Sequence, residues 1–352
     1  MNTLLNKFRN VIPDGQLDKR LFSEVVQTLD PNFWSDEKID SLLTTLPDTI
    51  SIETLAGFLY EKSSMAEAPK KAGRFFVGAN WKCSINNAEG ADALVAKLND
   101  AWKNGGSLLS DVEVCVFPPY VFLDRVRAQL RSGTASVGSQ NAWDAAPGFS
   151  CTGVVTAEML RSTGCQWVLL GHSDRRNVLG ETDSLIADKV SKCLEAGLSV
   201  NLTIGETREV RESVGSDGAT KVLLGQLEAA AAGIPNDAWG RIAVAYEPVW
   251  AIGEGASPCS PEETQRILAA LREWIRDRAG ATAAADCRLL YTGSVNEANA
   301  AEYAKLPEVD GFIVGRAGLD VGKLVSICST LASCKKVKVD PGDQVADQAI
   351  GG

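Results

Sequence analysis

Imidazole is almost missing from this sequence: His172 is the single histidine among 352 residues. No cluster of side chains offers metal-ligand spacing, so no metal is expected. Positive charge is also short. Thirty-five Lys and Arg stand against 45 Asp and Glu, a formal net charge of −10, which argues against nucleic acid or an anionic membrane surface as partner. An anionic ligand must then be attracted by local dipoles and a few cations. No apolar run approaches the length of a membrane span. The nine cysteines are odd in number, widely spaced and without a CxxC pair. They read as reduced intracellular thiols, mostly small buried apolar residues, and not as a disulfide framework. The first seventy residues hold eleven Asp and Glu against seven Lys and Arg. That is unlike an Arg-rich, acid-poor transit peptide, and the expected address is the cytoplasm.

Apolar residues make up 45% and charged residues 23% of the chain, enough for a substantial core in one large domain or two. The small, polar stretch "KSSMAEAPKKAG" (62–73) reads as a linker between unequal parts. The smaller part, 1–61, is expected to be helical: Leu21, Phe22, Val25, Val26 and Leu29 recur at helical spacing, as do Ile39, Leu42, Leu43 and Leu46. Two of its fragments, "DGQLDKRLF" and "ISIETLAGFL", resemble the second halves of EF-hand loops with their exiting helices. Leu21 and Thr54 stand where the bidentate Glu would be, so a degenerate, metal-free module is expected. The bland alternative is an unrelated helical docking module. The tail 336–352 lacks apolar periodicity and is expected to be flexible.

Between them, strand-like segments (74–79, 112–117, 135–139, 166–170, 198–204, 242–246, 288–291 and 311–314) alternate with amphipathic helices. One helix carries Ile186, Val190, Cys193 and Leu194 as an apolar stripe and closes at Gly197. Another opens on Ser260, Pro261 and Glu263, the pattern of a capping box. Eight β–α pairs over residues 74–335 predict an α/β fold, a closed (β/α)8 barrel. No GxGxxG follows the first strand, which counts against an open dinucleotide-binding sheet.

In such a barrel the residues just past each strand converge on one mouth. Reading those positions gives Asn80 and Lys82 after the first strand; His172, Ser173 and Asp174 after the fourth; Glu247 after the sixth. Gly293 and Ser294 follow the seventh, and Gly315 and Arg316 the eighth. These residues fall in the strings "FFVGANWK", "LLGHSDRR", "AYEPVWAIGEG", "YTGSVN" and "DGFIVGRAG", which together resemble the triosephosphate isomerase family, in order, across about 74–332.

That resemblance implies interconversion of dihydroxyacetone phosphate and glyceraldehyde 3-phosphate, a glycolytic and gluconeogenic step, with no cofactor. It implies Glu247 as general base, neutral His172 as the donor to the developing enediolate, and Lys82 and Asn80 as cation and hydrogen-bond donor. Ser173 and Asp174 support them. Gly253, Gly293, Ser294, Gly315 and Arg316 would bind phosphate through backbone N–H groups, and "PVWAIGEGASPCSP" would be a mobile lid hinged at Gly253 and Gly255. A homodimer is implied as well, with the loop "PGFSCTG" (147–153), Thr152 at its tip, inserted beside the neighbour's site.

Several positions depart from the pattern. Asp174 stands for an expected glutamate, Thr292 and Arg316 for glycines, Thr203 for a cysteine and Val154 for a glutamate, and the lid's C-terminal hinge is one residue longer around Pro258 and Cys259. A shorter acid at 174 should lengthen or re-angle its bridge to Lys82. Active but slowed turnover is therefore expected. The alternatives are a weak or inactive sugar-phosphate-binding or scaffold protein of the same fold, or an epimerase barrel acting on a pentulose phosphate.

Overall fold

A computed structural model describes residues 16–19, 23, 49–51, 75–105, 112–131, 133–143, 151–253 and 256–334. The expected linker 62–73, the tail 336–352, Gly255, the loop segment 147–150 and the apolar stripes of residues 21–29 and 39–46 lie outside them. The chain divides into two compact units, Met1–Ala66 and Glu67–Gly352.

In the first unit, β1 (Gln16–Asp18) and β2 (Thr49–Ser51) pair antiparallel with Leu17 opposite Ile50. The helical reading did not anticipate this ribbon. Each strand lies in or borders one of the two EF-hand-like fragments. Past β1, the Ser23 hydroxyl donates to the Lys19 carbonyl, four residues earlier, at 3.1 Å.

The second unit is a closed barrel of eight parallel strands. They are β3 (Phe75–Asn80), β4 (Val112–Phe117), β5 (Ser136–Ser139), β6 (Trp167–Leu170), β7 (Ser199–Ile204), β8 (Ile242–Tyr246), β9 (Arg288–Tyr291) and β10 (Gly311–Val314). Each lies within one residue of its expected range. Their helices among the described residues are α1 (Ala88–Gly105), α2 (Leu123–Gln129), α3 (Ala157–Ser162), α4 (Asp183–Glu195), α5 (Arg208–Ala231), α6 (Pro261–Ala279), α7 (Ala281–Asp286), α8 (Ala300–Ala304) and α9 (Val321–Ser333).

Both faces of these strands are buried, which is why they read as continuous apolar runs and not as alternating ones. The inward face holds Phe76, Phe117, Trp167, Leu169, Leu290 and Ile313. Among them sits a buried ion pair, Arg288 to Glu113 at 2.7 Å, with the Trp167 indole donating to the same carboxylate at 3.0 Å. The outward face packs on the helices, and the stripe Ile186, Val190, Cys193 and Leu194 of α4 is buried as expected. Each such side chain contributes roughly 1.5–3 kcal/mol by leaving water.

Helix ends follow local chemistry. Thr182 caps α4 by accepting from the Leu185 amide, and Gly197, at φ +80°, takes the left-handed conformation just past the helix. Half of the expected capping box at α6 forms: the Ser260 hydroxyl accepts from the Glu263 amide at 3.2 Å. The Glu263 side chain does not turn back to complete it. Arg211, Arg266 and Ser216 hold that carboxylate instead, because two guanidinium groups outcompete one backbone amide.

Candidate active site

The strand ends open into a cavity of about 810 Å³. Asn80, Lys82, His172 and Glu247 line it, together with Gly253, Gly293, Ser294, Gly315 and Arg316 from the other side of the mouth. Ser173 and Asp174, the remaining expected residues, stand behind this lining and hold Glu247 and Lys82.

Asn80 ends β3 and is buried, its side-chain oxygen accepting from the Lys82 amide at 3.0 Å. Lys82 has φ +48°, in the left-handed region that costs a residue with a side chain roughly 1–2 kcal/mol. Gln140 secures it from the far side by donating to the Lys82 carbonyl at 2.7 Å and to that of Phe117 at 2.9 Å. The Lys82 ammonium reaches Asp174 at 3.0 Å. The expected lengthening of this bridge does not occur, because a lysine's flexible stem makes up the methylene that the aspartate lacks. Burial pushes Asp174 upward, but the hydrogen bond from Lys82 and the nearby charges hold its carboxyl below the ordinary value.

His172 follows β6 through Gly171, which sits at φ +74°, where a Cβ would come within 2.5 Å of the Thr203 carbonyl. Only glycine fits there. The turn delivers the ring 8% exposed to the cavity. The Asp174 amide donates to His172 Nδ1 at 3.0 Å. An amide can only donate, so Nδ1 accepts this bond through its lone pair and Nε2 is the ring's donor. Nε2 lies 3.4 Å from Glu247 Oε1. Glu247, 3% exposed, receives the Ser173 amide on Oε2 at 2.8 Å and the Ser173 hydroxyl on Oε1 at 2.9 Å.

Past Glu247 the chain forms a short turn, Val249–Ala251, before Gly253 at φ +116°. A buried carboxylate anchors this turn: Glu206 Oε1 accepts from the Trp250 indole at 2.8 Å, Arg211 at 2.9 Å and the Tyr246 hydroxyl at 3.1 Å. Opposite, a Cβ on Gly293 would lie 2.1 Å from the Tyr291 hydroxyl, so that position is confined to glycine. The Ser294 hydroxyl bonds the Ala251 carbonyl at 3.2 Å, and Asn299 donates to the Ser294 carbonyl at 2.8 Å. Gln140 and Glu206 escaped the sequence reading. Both stand just past a strand, β5 and β7, and the same strand-end criterion applied to those two strands finds them.

Sequence comparison finds relatives of this barrel. The profile of the family described as Triosephosphate isomerase covers residues 75–331. The chain belongs to the triosephosphate isomerase family. It is 43% identical over 265 residues to the chloroplastic triosephosphate isomerase of Secale cereale, spanning 75% of this chain and 84% of the relative. Identity to the chloroplastic enzyme of Arabidopsis thaliana is 40% over 265 residues, 75% and 79% of the two chains. The cytosolic enzyme of Oryza sativa subsp. japonica is 43% identical over 249 residues, 70% and 92%. These relatives overturn the expected cytoplasmic address, since the chloroplastic triosephosphate isomerases match over the longer stretch. The acidic balance of the first seventy residues reports their charge and not the compartment of the barrel.

Proposed function

We propose that this chain interconverts dihydroxyacetone phosphate and D-glyceraldehyde 3-phosphate by proton transfer through an enediolate. In this reading Glu247 removes a proton from one carbon and returns it to its neighbour, a task that needs a single carboxylate able to reach both. His172 donates from Nε2 to whichever substrate oxygen gains charge, and Lys82 and Asn80 add a cation and an amide donor beside it. Backbone N–H groups at Gly253, Gly293, Ser294, Gly315 and Arg316 hold the phosphate. The observation that carries the reading is the Asp174 amide on His172 Nδ1, which leaves Nε2, 3.4 Å from Glu247 Oε1, as the ring's donor. As written, the reaction draws only on these side chains and backbone groups.

A homodimer fits the same reading. Tyr120 (40% exposed), Val121 (80%), Met159 (54%), Val178 (77%) and Leu179 (60%) are large apolar groups facing solvent. They follow β4, β5 and β6, three consecutive units of the barrel, and an apolar surface of this kind favours a protein partner. Thr152, at the tip of the loop read as the intersubunit arm, is exposed. Light scattering should return twice the chain mass, and a stable active monomer would overturn the dimer. The chloroplastic relatives favour a plastid address for this chain too.

The central test is a coupled isomerase assay on the purified chain and on Glu247→Ala. Turnover in the parent and its loss in the variant are expected. A folded parent without turnover, or an undiminished variant, overturns the proposal.

A further inference from the structure

Most charged side chains lining the cavity are already engaged. Asp174 holds the Lys82 ammonium at 3.0 Å and Glu297 holds that of Lys323 at 2.9 Å. Asp320 caps α9 by accepting from the Lys323 amide at 3.1 Å, and Glu247 takes both donors of Ser173. Arg316 stands apart. It lines the same cavity and is exposed, and its guanidinium has no hydrogen bond or ion pair among the described residues. Its backbone, by contrast, is fixed. Arg316 opens a short helical turn, Arg316–Leu319, directly after β10. Ala317 and Gly318 of that turn are buried, and a Cβ on Gly318 would lie 2.8 Å from the Ala79 Cβ. The turn therefore rests on β3, the strand that ends in Asn80, and the Gly318 amide closes it on the Gly315 carbonyl at 2.9 Å. A free cationic head is thus carried on a rigid base at the mouth.

We propose that the Arg316 side chain is a substrate-binding residue, its free guanidinium pairing with the phosphate dianion and setting the affinity of this cavity for phosphate. The inference rests on the triose phosphate reading and adds a side chain to a phosphate site described there through backbone groups alone. Lys82, Arg316 and Lys323 line the cavity against Glu247, Glu297 and Asp320, in a chain of net charge −10. The lining as a whole therefore offers a dianion no net attraction, and backbone N–H groups add dipoles but no charge. Recruiting Lys82 or Lys323 would break an existing ion pair, whereas Arg316 gives up only water. A guanidinium is also weakly hydrated, and its planar fork meets two phosphate oxygens at once.

Inorganic phosphate is the probe, titrated by calorimetry into the full chain and into Arg316→Lys, Arg316→Gln and Arg316→Glu. Lysine keeps the charge and loses the fork, and its Kd should rise about threefold. Glutamine loses both, and its Kd should rise about tenfold, the effect of one charge-assisted contact at a solvent-open site. Glutamate reverses the charge and should weaken binding further. All four chains should melt at the same temperature without phosphate, because the side chain holds nothing in the free protein. KM for the triose phosphate should follow the same order with most of kcat retained, since the contact is alike in substrate and transition state. An unchanged phosphate Kd in Arg316→Gln overturns the proposal, as does a parent that takes up no phosphate. Equal losses in Arg316→Lys and Arg316→Glu overturn it too, because shape and not charge would then decide. A parent that binds phosphate through Arg316 without isomerising triose phosphate sinks the assigned reaction and leaves the anion site standing. Normal turnover with phosphate Kd and KM unmoved in Arg316→Gln does the reverse.

Discussion

Ser173 grips both oxygens of Glu247, its amide on one at 2.8 Å and its hydroxyl on the other at 2.9 Å. A carboxylate so satisfied is parked, and in the proposed reaction it must leave Ser173 to reach a substrate carbon. The grip thus belongs to the resting carboxylate and not to the one that takes the proton. Ser173→Ala should lower stability by about 1.5–2 kcal/mol, the worth of a hydrogen bond to a charged acceptor, while kcat/KM changes less than about fivefold. Denaturant titration and steady-state kinetics separate these. A hundredfold loss of kcat/KM at unchanged stability would mean that the serine acts in the transition state.

Reach is the second constraint on the same carboxylate. Glu247 projects from the end of β8, whose register with β7 and β9 fixes its Cα. Shortening the side chain withdraws the oxygens by about 1 Å, a displacement that costs on the order of 100-fold in rate. Glu247→Asp should therefore lose about that much kcat with KM within about threefold of the parent. A kcat within tenfold would show that position matters less than charge.

The Lys82–Asp174 pair tests whether the departures from the family pattern slow the enzyme. Their 3.0 Å contact shows the shorter acid bridging at ordinary hydrogen-bond length, which removes the strain that a lengthened bridge would have imposed. Asp174→Glu should then leave kcat/KM within about twofold. Asp174→Asn deletes the charge that orients the ammonium, and KM should rise several-fold with kcat less affected. A large rate gain from Asp174→Glu would restore the strain argument.

The barrel was legible because its strands are buried on both faces and its helices on one, so that the two patterns alternate without ambiguity. The candidate site was legible where it sits at strand ends: Asn80, Lys82, His172 and Glu247 line one cavity because the parallel strands all point there. Sequence could not show what fixes them. Gln140 under Lys82 and Arg211 between Glu206 and Glu263 act through contacts between residues far apart in the chain, and no local spacing encodes those. The capping-box residue Glu263 was misread for the same reason, its local partner losing to distant arginines. The paired strands β1 and β2 are three residues each, too short for a period-two pattern to register.

Glu263 also sets an acid limit on the fold. Burial raises its carboxyl, but hydrogen bonds from Arg266, Ser216 and Arg211 outweigh it and hold the group at about 2, against an ordinary 4.5. A pKa lower in the folded than in the unfolded chain contributes stability in full above pH 4.5, and that contribution drains away as pH falls toward about 2. Glu263→Gln should cost about 2 kcal/mol at pH 7, discounted for partial exposure. The gap to the parent should shrink by more than half at pH 3. Urea titrations of both chains at the two pH values measure it directly. Arg211 links this carboxylate to Glu206 and stacks on Trp250 at 4.4 Å, so the loss should loosen the start of the lid as well. A gap that stayed constant with pH would show that shape, not charge, is what Glu263 contributes.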